Sequence, residues 1–292
     1  MNCGWCGVVV DETEKRVGRR ILCPTCGAWT TVPPPSETDL ELAYGGWYRP
    51  AVGRFSGAGD ALLRKLRGSL ARRLNRIAPP GPILDVGAGE GTLLEALRRR
   101  GRDAVGIDRR SSCQPVLETD LRDIGGRWAA IVFWHSLEHL PQAGAALDHS
   151  ASILNPEGVL VIAMPNAASF QARVFRERWF ANDFPRHLVH VPSRALLMRL
   201  SGLGMKIERV SYVRGGQVVF GWLHGFVGQL SGGRSLYDAI RRAEAREKAM
   251  SAAERAKVLL VAMLLLPAAL ACAALEVGCR RGGTVYVEAR RV

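Results

Sequence analysis

The chain has few aromatic residues and no dense basic run, although its overall charge is strongly positive. Aromatic side chains make up 7% of its 292 residues, and the formal net charge is +13. Proteins that bind single-stranded nucleic acid usually stack the bases on aromatic side chains, and no such platform is visible. The arginines are scattered through helical patterns, so the charge alone does not choose between a phosphate backbone, an anionic membrane surface and no specific partner.

The chain has seven cysteines, and four of them form two C-x-x-C pairs near the N-terminus. Cys3 with Cys6 and Cys23 with Cys26, each pair followed by glycine, have the spacing of an all-cysteine zinc ribbon. No signal peptide precedes Cys3, so we expect a reducing cytoplasm, which favours metal binding over a disulfide or a redox pair. Because four protein ligands leave no open position, the zinc is expected to be structural.

A glycine-rich turn at 87–91 follows a short apolar run at 83–86 and leads into a helical pattern. The G-x-G-x-G spacing brings bare backbone against a ligand at a helix N-terminus, where side chains would block close approach. The next apolar run ends in Asp108, an acidic residue placed to accept both ribose hydroxyls of a nucleoside. Together the two features predict a nucleoside cofactor.

The tight glycine spacing, with Asp85 just ahead of it, resembles motif I of the class I S-adenosylmethionine-dependent methyltransferases. Two further stretches follow in matching order. The sequence L-E-H-L at 137–140 follows the fourth predicted strand, and P-R-H-L-x-H stands at 185–190. Both resemble the ubiquinone-biosynthesis-type subgroup of these enzymes, and the resemblance covers roughly residues 80–212 and the last ten.

The resemblance implies S-adenosylmethionine as the cofactor and a Rossmann-like fold. The expected fold class is α/β, with a doubly wound seven-stranded sheet whose last strand, at 284–290, runs antiparallel beside 205–211. Asp120 ends the third predicted strand, at 115–121, and is expected near the adenine. The residues expected to bind the cofactor are Asp85, Gly87, Ala88, Gly89, Gly91, Asp108, Arg109, Asp120, Leu121 and His135.

Changes in composition predict how the chain is divided. Apolar residues at helical spacing over 63–77 predict a lead helix that packs on the sheet with its arginines solvated, an interpretation favoured over a nucleic-acid-binding stripe. The predicted segments are a zinc ribbon at 1–30, a Pro-rich linker at 31–38, an N-terminal helical segment at 39–78, a methyltransferase core at 79–212 and 283–292, and an apolar helical insertion at 213–282.

The insertion contains two apolar stretches, 218–230 and 258–275, and the second has no charged residue. Its length reaches the lower limit of about 17 residues for a membrane span. Because the last strand must return to the sheet, a single crossing is excluded. In-plane or re-entrant membrane contact is favoured over a buried or dimer helix, and a two-span hairpin is the least favoured.

Methyl transfer from a sulfonium needs alignment, removal of water and, for a hydroxyl acceptor, a base. The candidates are Glu138 and His139 after the fourth strand and His187 and His190 after the fifth, because the pKa of histidine lies near neutrality. Other roles stay open. Glu138 could favour a helix dipole and His139 could pack under the cofactor, while His187 and His190 could form a metal pair, although without further carboxylates nearby.

The position of the insertion, beyond the carboxyl end of the sixth strand, places it over the acceptor pocket. We therefore predict O-methyl transfer to a small-molecule or lipid-linked amphiphilic acceptor by a cytoplasmic enzyme with peripheral contact to the inner face of the cell membrane. Two alternatives remain open, an RNA methyltransferase that binds nucleic acid through its zinc ribbon and a non-catalytic cofactor-binding scaffold. The absence of N-P-P-Y after the fourth strand argues against methylation of adenine-type amino groups. The oligomeric state is left unassigned.

Overall fold

The protein combines one large sheet, a small N-terminal sheet and nine α-helices in the part of the chain that the structure describes. This computed structural model describes residues 1–11, 13–48, 53–55, 57–109, 116–214, 217–233 and 235–292. The strands are β1 Arg16–Val17, β2 Arg20–Leu22, β3 Trp29–Thr31, β4 Ile83–Val86, β5 Ala104–Asp108, β6 Val116–Glu118, β7 Trp128–Trp134, β8 Leu154–Pro165, β9 Val189–His190, β10 Met205–Ser211 and β11 Thr284–Arg291.

The helices alternate with the strands through the centre of the chain and cluster between β10 and β11. The α-helices are α1 Glu37–Ala43, α2 Gly57–Ile77, α3 Thr92–Arg98, α4 Ala143–Ser152, α5 Phe170–Phe175, α6 Ser193–Gly202, α7 Val218–Leu230, α8 Leu236–Ile240 and α9 Ala252–Gly278. The short 3-10 helices are Leu121–Asp123, Leu137–His139, Arg176–Arg178, Phe180–Asn182 and Ala243–Ala245.

The large sheet has the order β10-β11-β8-β7-β4-β5-β6. Strands β4 to β8 run parallel, and β11 is antiparallel to both of its neighbours. The predicted Rossmann-like α/β fold with a reversed last strand is therefore confirmed. Since β4, β5 and β7 are parallel neighbours, their carboxyl ends meet at one edge, which carries Gly87, Asp108 and His135 in the turns and strand ends there.

The central strands are apolar on both faces because helices cover each side. Alternate residues of β7, such as Ile131 and Phe133, pack with α4, α6 and the N-terminal sheet. The residues between them, such as Ala130 and Val132, pack with α2 and α3. This double coverage explains why the strands appear in the sequence as continuous hydrophobic runs.

Helix α2 packs on the sheet through its second half only. Leu70 and Leu74 are buried, whereas Leu66 is more than half exposed. The sequence pattern predicts that its arginines are solvated, but two of them contact other parts of the protein. The Arg73 guanidinium donates two hydrogen bonds to the buried Glu288 carboxylate, at 2.9 and 2.5 Å, and Arg67 lies over the Trp134 ring at 5.3 Å. Both contacts involve distant parts of the chain, which the local pattern does not reveal.

The Pro-rich stretch is shorter than the predicted linker at 31–38. Strand β3 extends to Thr31, and α1 begins at Glu37. Ser36 and Asp39 form a capping box in which each side chain bonds the backbone N–H of the other residue, and this satisfies donors that a helix start leaves unpaired. The extended chain between the small sheet and α1 is therefore only a few residues long.

The insertion folds as an antiparallel pair of helices, α7 and α9, with α8 between them. The α9 residues that face α7 are small, with Ala269 and Ala273 buried. At the end of α9 the buried Glu276 carboxylate accepts hydrogen bonds from the Gln171 backbone and side chain and from Trp222 Nε1, at 3.0, 2.8 and 2.9 Å. These bonds fasten α9 to α5 and α7.

Among the described residues, α9 is the one helix long and apolar enough to cross a membrane, and the core helix of a soluble protein can pass the same test. The pairing of β11 in the sheet excludes a single crossing. Helix α7 has 13 residues, fewer than the roughly 17 that a span requires, so the two-span hairpin is not supported.

Candidate active site

A cleft of about 1700 Å³ opens at the carboxyl edge of the large sheet. The glycine loop after β4 forms its floor, and the turn after β7 forms one side. Residues of α7 and α8, including Phe220 and Tyr237, line it from the insertion. The insertion thus covers the edge at which open α/β sheets bind ligands.

The glycines of the loop are required by its backbone. Gly87, Gly89 and Gly91 have φ angles of 80°, 60° and 68°, in the left-handed region that side chains disfavour. A Cβ on Gly87 would lie 2.5 Å from Cβ of Ser136. The Gly89 N–H donates to Asp108 Oδ2 at 2.8 Å. The loop therefore presents bare backbone to the cleft, as the adenosine cofactor requires.

The structure brings four of the predicted cofactor residues into the lining of the cleft, namely Gly87, Ala88, Gly89 and His135. Gly91 ends the loop and caps α3. Asp85 is buried within β4. Asp108, at the end of β5, is linked to the cleft through Gly89.

The remaining predicted cofactor residues, Arg109, Asp120 and Leu121, do not line the cleft. Arg109 donates to Glu37 of α1 at 2.6 Å. Asp120 caps the following 3-10 helix and pairs with Arg122 at 2.9 Å, while Leu121 is buried. The first residue of the predicted third strand, Pro115, lies outside the described residues, and β6 begins at Val116.

Two of the other candidate bases, His139 and His187, lie beside the Glu138 carboxylate, which is 1% exposed. His135 Nδ1 lies 3.4 Å and His187 Nε2 lies 4.0 Å from Glu138 Oε1. His187 Nε2 is also 3.7 Å from Asp183 Oδ2. On its other side, His187 Nδ1 lies 2.8 Å from the Ala181 carbonyl, which only a protonated Nδ1 can satisfy. That tautomer leaves the Nε2 lone pair available.

Both carboxylates beside His187 are held in the charged form. Burial disfavours the charge of Glu138, but the close contact with His135 and the positive charges that His187 and His135 carry when protonated outweigh burial and lower its pKa. Burial also disfavours the charge of Asp183, but the neighbouring His187 and Arg186 outweigh burial and lower the pKa of Asp183. Two anionic groups thus face one imidazole.

His139 and His190 are placed differently from His187. The Nδ1 atom of His139 is 3.0 Å from the Arg186 carbonyl, and burial lowers the pKa of His139 to about 4. His190 does not line the cleft. Its Nε2 lies 3.5 Å from the Thr31 hydroxyl, and burial lowers its pKa well below the ordinary value. Of the three histidines, His187 has the environment of a base.

Two parts of the site were not predicted from the sequence. One is Asp183, whose position four residues before His187 could have indicated the pairing. Asp183 and Glu138 both lie near His187, so carboxylates are present there, contrary to the expectation from the sequence. The donor atoms of Glu138, His139 and His187 also lie within 4.8 Å of one another, and this set could hold a cation.

The second is an aromatic group that lines the cleft, consisting of Phe55, Phe180, Phe220 and Tyr237. Ring centroids are 5.1 Å apart for Phe180 and Phe220 and 5.6 Å apart for Phe180 and Tyr237. The His224 ring is tilted against the Phe180 ring, with 4.8 Å between their centroids. The rings come from four separate parts of the chain, namely the segment before α2, a 3-10 helix, α7 and α8, so no local pattern marks them as a group.

Burial lowers the pKa of His224 to about 4 from an ordinary value of 6.5. The unfolded chain therefore binds this proton more readily than the folded protein, and stability falls as the pH drops from 6.5 toward 4. At about 1.4 kcal/mol per pKa unit, His224 contributes on the order of 3 kcal/mol to this loss. We expect His224→Phe to flatten the pH dependence of the unfolding free energy in that window, measured by urea titration. If the unfolding free energy of the wild type and of the variant changed with pH at the same rate, this role of His224 would be contradicted.

The four cysteines near the N-terminus form a second candidate site. Their Sγ atoms all lie within 4.8 Å of one another, with 3.6 Å between Cys3 and Cys26 and between Cys6 and Cys23. A tetrahedral site with zinc–sulfur bonds of about 2.3 Å places the sulfurs about 3.8 Å apart. The cluster therefore has the donor set and size of a structural zinc site.

Comparison with known proteins agrees with this geometry. Residues 62–210 match the family model described as the methyltransferase domain, and this range is half of the chain and contains the glycine loop, Asp108, Glu138 and His187. The chain belongs to the methyltransferase domain family. The resemblance to class I S-adenosylmethionine-dependent methyltransferases is confirmed, and the protein is an enzyme of that class.

Curated relatives of this methyltransferase include ubiquinone biosynthesis O-methyltransferases from two Xanthomonas species. The protein of X. axonopodis pv. citri is 28% identical over 47% of this chain and 67% of its own length. That of X. campestris pv. campestris is 31% identical over 39% of this chain and 57% of its own length. The methyltransferase thus spans about two thirds of the first relative and just over half of the second.

Among solved structures, an S-adenosylmethionine-dependent methyltransferase from Archaeoglobus fulgidus aligns with 77% of this chain and 94% of its own, at 16% identity and a TM-score of 0.45.

Proposed function

We propose that this methyltransferase transfers the methyl group of S-adenosylmethionine to a hydroxyl oxygen of an amphiphilic acceptor. The observation that carries the proposal is that the glycine loop, His187 and the aromatic group line one cleft. The loop binds the cofactor, His187 accepts the proton of the acceptor hydroxyl, and the aromatic rings contact the apolar part of the acceptor. The name of the relatives, O-methyltransferases of ubiquinone biosynthesis, supports oxygen as the acceptor atom.

In this proposal, the cofactor-binding residues are those that the family resemblance implies. The bare backbone of the loop holds the amino acid part of the cofactor, and the Asp108 carboxylate accepts from the ribose hydroxyls. His135 lines the same cleft as the loop. The full proposed set is Asp85, Gly87, Ala88, Gly89, Gly91, Asp108, Arg109, Asp120, Leu121 and His135.

The protein has little chemistry to supply, because bound S-adenosylmethionine carries a sulfonium methyl group that is already activated. His187 Nε2 takes the proton of the acceptor hydroxyl while the new carbon–oxygen bond forms and the carbon–sulfur bond breaks. The Asp183 and Glu138 carboxylates, 3.7 and 4.0 Å from Nε2, offset the positive charge of the imidazolium. Glu138 and His187 are both buried, which strengthens the interaction between them.

A defined acceptor tests the apolar half of the proposal. We compare a phenol that carries a dodecyl chain with the same phenol lacking the chain, measuring methyl transfer from radiolabelled S-adenosylmethionine. Each buried CH₂ contributes up to about 0.8 kcal/mol, so the chain should lower KM at least about tenfold. Equal KM values for the two phenols would argue against an amphiphilic acceptor.

We further propose that α9 contacts the inner face of the cell membrane. Its outward face carries Met263, Leu264, Leu270 and Leu275, all at least half exposed. Exposed contiguous apolar surfaces of this kind mark interaction sites. The exposed basic residues near its two ends, Lys257, Arg280 and Arg281, suit an anionic lipid surface. A helix lying in the membrane plane delivers an amphiphilic acceptor to the cleft that its partner α7 lines.

The helix face makes a specific prediction about vesicle binding. We expect the protein to float with vesicles of phosphatidylglycerol and phosphatidylcholine, more weakly in high salt but still measurably, because the apolar contribution is not screened. Met263→Glu/Leu264→Glu should reduce the bound fraction at least about tenfold, since each side chain contributes about 1.5–3 kcal/mol when buried.

The chain offers a matched control for this pair. Met198 and Leu42 are 62% and 71% exposed on α6 and α1, compared with 67% and 72% for Met263 and Leu264. Met198→Glu/Leu42→Glu should float like the wild type. Equal flotation of both variants would exclude α9 as the contact. A protein that never floats but binds RNA with a steep salt dependence would favour the RNA methyltransferase instead.

The cysteine cluster is proposed to hold one structural zinc ion. Elemental analysis should give one zinc per chain, and Cys23→Ser should lose it. Removal of the metal should disorder the residues before Pro33, because metal binding supplies much of the folding free energy of a small ribbon. S-adenosylhomocysteine binding should survive, since no described residue of 1–30 lines the cleft. A wild-type protein without metal would contradict this proposal.

A further inference from the structure

The predicted ribbon is joined to the catalytic domain by a shared sheet rather than only by the linker. Strand β3 pairs antiparallel with β9, with Trp29 opposite His190 and Thr30 opposite Val189. The resulting sheet has the order β1-β2-β3-β9. Strand β9 has two residues, and β3 is its strand neighbour in that sheet. The position of β9 therefore depends on the ribbon.

Two further bonds extend this pairing to His187. The Thr31 N–H donates to the Leu188 carbonyl at 2.9 Å. The Thr31 hydroxyl donates to the His187 carbonyl at 2.8 Å, and Thr31 is only 5% exposed. Removal of the hydroxyl would leave a buried carbonyl without this donor, a change that costs free energy.

The opposite edge of the same segment contacts the turn that carries Glu138. The Leu188 N–H donates to the Glu138 carbonyl at 2.8 Å. The first zinc knuckle also packs here, because a Cβ on Gly4 would lie 2.5 Å from Val189 Cγ2 and 2.6 Å from the Pro141 carbonyl. The segment 187–190 is thus held between the ribbon on one side and the Glu138 turn on the other.

We propose that Thr31 and the ribbon strand β3 are positioning elements of the active site, which set the place of His187 relative to Glu138. The inference rests on the proposed role of His187 as the base. Thr31 does not touch the reacting atoms, and it acts through the backbone of 187–188. The ribbon is accordingly a structural part of the catalytic centre, and a function in nucleic-acid binding is not needed to explain its presence.

The experiment uses the full-length protein with three substitutions. Thr31→Val removes the hydroxyl and keeps the side-chain shape, and Thr31→Ser restores the hydroxyl. Thr13→Val is the matched control, because the Thr13 hydroxyl bonds only to the exposed Asp11 side chain among the described residues. Three quantities are measured for each variant: amide hydrogen exchange, S-adenosylhomocysteine affinity by calorimetry, and kcat and KM with the dodecyl phenol.

We expect the Leu188 amide to exchange about tenfold faster in Thr31→Val, in keeping with the usual cost of an unsatisfied buried carbonyl. Exchange at 83–91 and the affinity for S-adenosylhomocysteine should stay unchanged. The value of kcat should fall about tenfold with KM unchanged, and Thr31→Ser should recover both exchange and kcat. Thr13→Val should match the wild type.

Two results would overturn the proposal. One is unchanged exchange at Leu188 in Thr31→Val, and the other is faster exchange that spreads equally to 83–91, which would make the ribbon a general support of the fold. The exchange and calorimetry measurements need no methyl acceptor. A wild-type protein that methylates no phenol would therefore count against the proposed function and would leave the positioning test intact.

Discussion

Replacing Asp108 with alanine is expected to weaken S-adenosylhomocysteine binding about 100-fold while the protein stays folded. The carboxylate would lose its hydrogen bonds to the ribose, and charge-assisted bonds contribute about 1.5–3 kcal/mol each. The substitution would also leave the Gly89 N–H without its present acceptor, Asp108 Oδ2 at 2.8 Å. Isothermal calorimetry measures the affinity, and a thermal melt shows whether the fold is retained.

Asp103→Ala is the control for this substitution, because Asp103 is exposed just before the same strand. Its affinity should equal that of the wild type. Undiminished binding by Asp108→Ala would remove Asp108 from the cofactor site. Equal losses in both variants would show that β5 tolerates no substitution near its ends.

Replacing His187 with asparagine should lower kcat by about 10²–10⁴, the usual contribution of a positioned general base. The asparagine amide can still donate to the Ala181 carbonyl, as Nδ1 does now at 2.8 Å, but it has no atom equivalent to Nε2. The local fold should therefore be kept while the proton acceptor is lost. S-adenosylhomocysteine affinity should change little, and single-turnover methyl transfer to the dodecyl phenol measures the rate.

His139→Asn separates the two candidate bases. Burial keeps the pKa of His139 at about 4 and its Nδ1 faces the Arg186 carbonyl, so this variant should lose less than about tenfold in kcat. A larger loss in His139→Asn than in His187→Asn would transfer the role of base to His139. Losses below tenfold in both would mean that alignment alone carries the reaction.

The fold could be predicted because its signals are local. A short apolar run followed by three glycines indicates a strand, a turn and a helix within a dozen residues, and the φ angles of Gly87, Gly89 and Gly91 show why no other residue suits the turn. Parallel strands covered on both faces remain apolar along their whole length. The order of these units along the chain then leaves few possible topologies.

The parts that could not be predicted depend on distant pairings. Arg73 and Glu288 are separated by 215 residues, and solvated and paired arginines have the same pattern on a helix. The pairing of β3 with β9 joins a ribbon to a strand of two residues, which is too short to leave a signal in the sequence. Without that pairing, the segment before Pro33 resembles a separate domain on a linker.

The site shows the same division. The motifs identify the glycine loop and the histidines, but they do not show which histidine faces the cleft. Val189 and His190 form strand β9, which carries the His190 side chain toward Thr31 and away from the cleft lining. Three residues earlier, His187 meets Asp183 and Glu138. A spacing of three residues does not decide between these two surroundings.

The acceptor itself is tested most directly by one labelling experiment. The purified protein is incubated with radiolabelled S-adenosylmethionine and a bacterial extract, which is then separated into lipid, RNA and protein fractions. Label should enter the lipid fraction in an alkali-stable ether linkage, and His187→Asn should slow this transfer at least about 100-fold while it still binds the cofactor. Label in the RNA fraction that depends on the wild-type protein, with none in the lipid fraction, would contradict it.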